Sequence, residues 1–239
     1  MSSSCSRYVL QCGGPSIPWS AVFSLPANKL SSILDMNQHI RSYLGRKERP
    51  HTRIISLSPD LRSRGESPGQ EPGLAEIRLK LILPQSVVNR EGEKAGLVIF
   101  LGDERGSQQV DNRWCNCQRK WFSSHWLSRW GCDIECLLPG DGYGSVLVDI
   151  RGSGGQGQEW RSLRSGEMSD LEQVLVFLTS LESVDADRLC VLGSGWGGWL
   201  VLAALLANTP GLGQVRCGLA RAPLTDWRLG RRSIQFCFN

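Results

Sequence analysis

Long hydrophobic runs are missing from this chain of 239 residues. The longest, Trp199 to Ala207, is about half of the ~20 apolar residues that a helix needs to cross a bilayer. The opening residues, "MSSSCSRYVL", have neither the positive segment nor the apolar core of a signal peptide, so the sequence as written shows no export or anchoring signal. A block of one charge sign is also missing. The 27 Lys and Arg against 23 Asp and Glu leave a net charge of +4, dispersed along the chain. The busiest basic cluster, Arg46, Lys47 and Arg49, reads as a solvated loop, and no nucleic acid partner is expected. Histidine is scarce: His39, His51 and His125 are the only three.

Cysteine, by contrast, is plentiful. Nine would suit an oxidising compartment, and the odd number leaves at least one outside any intramolecular pairing. Cys115 with Cys117, and Cys132 with Cys136, are spaced CxC and CxxxC rather than as the CxxC knuckles of common structural zinc sites, so no metal is assigned.

The apolar pattern divides the chain. Arg7 to Gln11 reads as a strand ended by the turn-forming "CGGPSIP". Asn28 to Leu44 carries Leu30, Ile33, Leu34, Ile40 and Leu44 near helical spacing, with Gly45 as a stop, and predicts a helix. Arg46 to Gly73, rich in Pro, Ser, Arg and Gly, reads as an irregular connector. Strands follow at 76–83 ("EIRLKLIL") and 96–101 ("GLVIFL"), the latter apolar enough to be covered on both faces. Trp114 to Gly142 holds four of the nine tryptophans and receives no assignment. Beyond it come a strand at 145–150, the loop "RGSGGQG", and a helix from Ser169, its candidate cap, with Leu171, Val174, Leu175, Leu178 and Leu181 on one face. A strand at 188–192, a helix at 196–207 and a strand at 215–220 complete the pattern. Strand alternating with helix predicts an α/β fold with a mostly parallel sheet.

The stretch "VLGSGWGGW", residues 191–199, decides between two chemistries. Gly193-x-Gly195-x-x-Gly198 matches a dinucleotide-binding fingerprint. That reading also requires an acidic residue about twenty positions on, to hold a ribose. The region there is "VRCGLARAP", and Asp226 is the first acid after Ser194. A second copy, Gly152-x-Gly154-x-x-Gly157, shows how readily glycine-rich turns meet the pattern, and no cofactor is assigned. The other reading is a hydrolase nucleophile elbow, a sharp strand-to-helix turn whose central residue takes positive φ and whose neighbours two places away must be small. With Gly195 at the centre, Gly193 and Gly197 are those neighbours, Gly198 adds packing room, and Trp196 supplies the N–H in the oxyanion-donor position. Ser194 is one place out of register. In this fold the triad histidine follows the nucleophile, yet all three histidines precede it. Nucleophile and general base are both missing.

Taken in order, "RYVLQCGGPSIP", "LGDERGSQQV", "VDIRGSGGQG", "VLGSGWGGWL" and "VRCGLARAPLTDW" resemble the motifs of the dipeptidyl peptidase IV branch of the prolyl oligopeptidase family. The resemblance implies a partial α/β-hydrolase domain preceded by the last strand of a β-propeller. Residues 1–25 would be the propeller remnant, 26–75 a connector with a short helix, and 76–239 a hydrolase domain truncated at its C-terminus. The elbow is most similar to that of the inactive dipeptidyl-peptidase-like members, type II plasma-membrane glycoproteins that accompany voltage-gated potassium channels. The oxyanion tyrosine of active members aligns with Gly102. Those members imply a channel subunit as partner and allow a homodimer through the hydrolase domain. By the same resemblance, Cys217 would pair with a cysteine beyond this chain's end, and is expected here as a buried free thiol. The rival expectation is an active serine dipeptidyl peptidase represented by an incomplete sequence; a truncated product with no stable function is a third.

Overall fold

A computed structural model describes residues 6–12, 18–44, 50–58, 76–90, 92–102, 104–111, 142–162, 166–206 and 215–226. The chain divides into two compact units, one formed mainly by residues 1–49 and the other by residues 50–110 and 119–239.

In the first unit, β1 (Arg7–Cys12), β2 (Trp19–Ser24) and β3 (Lys29–Asp35) form an antiparallel sheet in that order. Tyr8 lies opposite Phe23, and their rings stack with centroids 5.6 Å apart. Such cross-strand aromatic pairs help to fix register. The turn from β2 to β3 holds a cis Leu25–Pro26 bond and Asn28 at φ 49°, a left-handed position that Asn tolerates. Here the structure corrects the sequence reading. The helix expected from Asn28 to Leu44 is a strand up to Asp35, and only α1 (Gln38–Leu44) is helical. The strand expected at residues 7–11 is present as β1.

The second unit is built on a six-stranded sheet of order β4-β5-β7-β6-β8-β9. Its strands are β4 (His51–Leu57), β5 (Ile77–Leu83), β6 (Ala95–Leu101), β7 (Gly144–Asp149), β8 (Val184–Ser194) and β9 (Val215–Arg221). β7, β6, β8 and β9 run parallel to one another, whereas β5 pairs antiparallel with both β4 and β7. The sheet is thus mostly parallel, as α/β alternation requires. β4 was not expected: "HTRIISL" lies within the stretch read as a connector, and it pairs residue by residue with β5 from His51↔Leu83 to Leu57↔Ile77. The two compact units divide between residues 49 and 50, so β4 belongs with the second.

Short helices α2 (Gln85–Asn89) and α3 (Gln158–Ser162) punctuate the sheet. Two longer ones, α4 (Glu167–Thr179) and α5 (Gly195–Leu206), cover it. Leu171, Val174, Leu175 and Leu178 of α4 are fully buried, and they share one core with Leu79, Leu97, Ile99, Val146 and Leu189 of the strands and Leu200 and Val201 of α5. A smaller cluster joins Phe100, Leu147 and Val110. α4 starts at Glu167 behind Gly166, so Ser169 lies inside the helix and is not its cap. The expected strands at 76–83, 96–101, 145–150, 188–192 and 215–220 and the helix at 196–207 are all present, within a few residues at their ends. Residues 112–141, including Cys115, Cys117, Cys132 and Cys136, lie outside the described residues. So does most of the unassigned Trp114–Gly142 segment.

Candidate functional site: a strand-to-helix turn centred on Gly195

β8 runs between β6 and β9 and passes directly into α5: Ser194 ends the strand and Gly195 begins the helix. No loop intervenes, so one residue must absorb the change of direction. Gly195 does so at φ 52°, in the left-handed region that an L side chain enters only at a cost.

The flanking glycines are explained by distance. A Cβ on Gly193 would overlap the backbone carbonyl of Gly197. One on Gly197 would run into the end of β6, meeting the Leu101 carbonyl oxygen at 2.6 Å and the carbonyl of Gly102 closer still. One on Gly198 would press on the Arg221 carbonyl oxygen at 3.1 Å. Two backbone hydrogen bonds tie the turn to its surroundings: Gly197 N–H donates to Gly102 O at 3.0 Å, and Leu224 N–H donates to Gly195 O at 3.1 Å. The ends of β6, β8 and β9 therefore meet at this turn. Gly102 contributes a carbonyl and a close approach, with no hydroxyl to offer an oxyanion.

These contacts oppose the phosphate-loop reading. A dinucleotide cradle needs backbone N–H groups open to the ligand, but that of Gly197 is already engaged. The second glycine-rich copy is engaged too: Gly152 N–H donates to Trp160 O at 3.1 Å and Gly154 N–H to Ser107 O at 3.0 Å. The cavity beside the turn, lined by Gly102, Arg105, Ile150, Trp196 and Leu200 among others, measures about 20 Å³. That is room for about one water, far less than a pyrophosphate.

Side chains that the sequence reading did not single out furnish the walls. Arg105 lies over the Trp196 ring, 4.5 Å from its centroid, and Trp196 stacks on Trp199 at 4.8 Å. Arg105 also forms an ion pair with Glu167 at the start of α4. A second pair, Arg151 with Asp170, is almost fully buried. Arg151 Nε donates to both Asp170 carboxylate oxygens at 2.9 and 2.8 Å, and the Arg151 N–H adds a bond of 3.0 Å. Both acids lie in the first turn of α4, where the helix dipole favours negative charge. The buried Asp149 carboxylate accepts from the N–H groups of Gln109 and Val110 at 2.7 and 2.9 Å and so anchors the 104–110 loop. A signal for Asp170 was available: it occupies the same helix face as Val174 and Leu178, where an acid needs a partner. Ser194, the hydroxyl nearest the turn, is buried. Among the described residues, no cluster of three or more His, Cys, Asp or Glu could hold a metal ion.

The model of the prolyl oligopeptidase family matches residues 134–234, which include the turn, α4, β8, α5 and β9. Over that stretch the chain is similar to the prolyl oligopeptidase family, and the relatives it matches include dipeptidyl peptidases. It is 27% identical over 227 residues to human "Prolyl endopeptidase FAP", covering 92% of this chain and 25% of that one. It is 25% identical over 223 residues to "Probable dipeptidyl-aminopeptidase B" of Pyrenophora teres f. teres, covering 90% and 21%. Among solved structures, Porphyromonas gingivalis dipeptidyl peptidase 4 matches with a TM-score of 0.64 at 22% identity, over 93% of this chain and 28% of that one. Pyrococcus horikoshii acylaminoacyl peptidase matches at 0.57 and 18%, over 92% and 30%. The chain thus spans about a fifth to a quarter of the length of the curated relatives it matches.

One expectation drawn from the resemblance is overturned. Cys217 is neither a free thiol nor buried: it lies exposed on β9 and forms a disulfide with Cys190, its register partner on β8.

Proposed function

We propose that this chain is part of a catalytically inactive member of the family, one that acts by protein interaction. Gly195 carries the reading. It holds the centre of the turn, where a nucleophile must project, and it has no side chain to project. Gly102, aligned with the oxyanion tyrosine of active members, supports the same conclusion. By the resemblance of the turn to the inactive dipeptidyl-peptidase-like proteins, the partner is a voltage-gated potassium channel subunit, met at the plasma membrane by a type II protein. The three-stranded sheet at residues 7–35, with Val9, Leu10, Ile33 and Leu34 exposed, supports reading the first 25 residues as part of a propeller blade. Among the described residues no helix is long and apolar enough to cross a membrane.

The rival reading, a serine dipeptidyl peptidase, is favoured by the peptidase names of curated relatives such as these. Fluorophosphonate labelling of the full chain separates the two. No adduct is expected, because a hydroxyl without a base is a weak nucleophile, and an adduct on Ser194 would restore the peptidase reading. Co-expression with a voltage-gated potassium channel tests the partner: altered gating or surface expression is expected, and unchanged currents would remove the channel role.

A further inference from the structure

We infer that Cys190 and Cys217 form a redox-sensitive link that holds the last described strand, and through it the Gly195 turn, in place. The inference rests on the sheet and its contacts, whether or not the turn carries chemistry.

The two cysteines face each other directly in the parallel β8–β9 ladder, with Cα atoms 4.6 Å apart, within the range a disulfide spans. β9 is the edge of the described sheet and pairs with β8 alone. Its side of the ladder is poorly covered: Arg216, Cys217, Gly218 and Leu219 are all exposed. The Arg216–Asp187 ion pair across the same two strands is exposed on both partners, and such pairs contribute little. Apart from the ladder itself, β9 is held by α5, whose Val201 and Leu205 pack over Gly218, and by its own Val215 and Ala220, which pack against the core. The covalent link adds to the ladder and this packing at the middle of the strand.

What β9 supports is the turn. Its last residue, Arg221, sets a carbonyl against Gly198; Pro223 lies against the same glycine, and Leu224 N–H donates to Gly195 O. Opening the link therefore loosens a strand whose far end braces the start of α5.

The opening step is thiol–disulfide exchange with a dithiol reductant. A thiolate of the reductant attacks the exposed Cys217 sulfur, the bond to Cys190 breaks, and Cys190 leaves as a thiolate and takes up a proton. The second thiol of the reductant then attacks the mixed disulfide, releasing Cys217 as a thiol and the reductant as its own disulfide. Two electrons and two protons pass to the protein.

The test uses the full chain purified without reductant. Alkylation under denaturing conditions and peptide mapping should recover Cys190 linked to Cys217. Hydrogen exchange is then compared before and after dithiothreitol. Amides of residues 215–221 should exchange about tenfold faster once the link is open, those of residues 195–200 should follow, and those of β5 to β7 should not change. Cys217→Ser should match the reduced wild type and no longer respond to dithiothreitol. Should that variant not fold, reduction of the wild type remains the measurement. The inference is overturned if Cys190 and Cys217 are recovered as free thiols or in other pairings, or if exchange is the same with the link open and closed.

Discussion

The carbonyl of Gly197 occupies the space that a Cβ on Gly193 would need. The two residues belong to different elements, so the contact measures how closely the end of β8 approaches the first turn of α5. Because the obstacle is backbone, no side chain can rotate away. Gly193→Ala and Gly197→Val should each destabilise the fold by about 1–3 kcal/mol through overpacking. Equilibrium urea denaturation reads this directly, and an unchanged midpoint would mean that strand and helix are further apart than described.

Gly195 poses a conformational constraint where Gly193 poses a steric one. An L residue at φ 52° costs about 1–2 kcal/mol, and Asn costs less than Ala or Ser because its side chain tolerates the left-handed region. Thermal melts of Gly195→Asn, Gly195→Ala and Gly195→Ser should show Asn as the mildest. Gly195→Ser should also remain unlabelled by fluorophosphonate. The described histidine of the same unit, His51, lies on β4 at the opposite sheet edge, with β5, β7 and β6 between it and β8. Labelling of that variant would show that a base reaches the turn.

Asp170 and Arg151 are buried together, and removing one strands the other. Asp170→Ala should cost about 3–5 kcal/mol, whereas the double change Arg151→Met with Asp170→Leu should recover most of it, since apolar side chains of similar volume leave no buried charge. A double-mutant cycle in guanidinium gives the coupling. Additive losses would show that the two side chains act independently.

Asp185, at the start of β8, has its carboxyl held below the usual aspartate range, first by the hydrogen bond from Arg188 Nε at 2.6 Å and then by the Asp187 N–H. A depressed folded-state value means stability that is present above the ordinary aspartate pKa of about 3.9 and lost as pH falls through the lowered value. Arg188→Ala should move the Asp185 midpoint back up, read by carboxyl-carbon NMR titration. A midpoint indifferent to that substitution would exclude Arg188 as the cause.

Strands β5 to β9 of the larger unit could be read from the sequence, and in two of them burial on both faces leaves the continuous apolar runs "GLVIFL" and "SVLVDI". β3 could not, because Leu30, Ile33 and Leu34 fit helical spacing by position, and the choice of strand is made by pairing with β2. β4 was hidden among Pro, Ser and Arg and is fixed by its partner β5. At the candidate site, the glycines were legible because each answers a local demand of φ or distance. Arg105 and Glu167 were not, since their pairing joins a loop to a helix that lies far away in the sequence. The Cys190–Cys217 pair was missed for a similar reason: only the strand order places β8 beside β9.

The turn at Gly195 satisfies three backbones at once: the end of β6 through Gly197, the end of β8 through Gly193, and the end of β9 through Gly198 and Leu224. Each requirement persists with no catalytic group present. A saturation screen scored on folding alone would therefore return the glycines as intolerant positions while leaving the nucleophile position open to any residue that accepts left-handed φ. A sequence search keyed to these glycines would, for the same reason, collect enzymes and non-enzymes without distinction, because what it detects is a junction of chain segments.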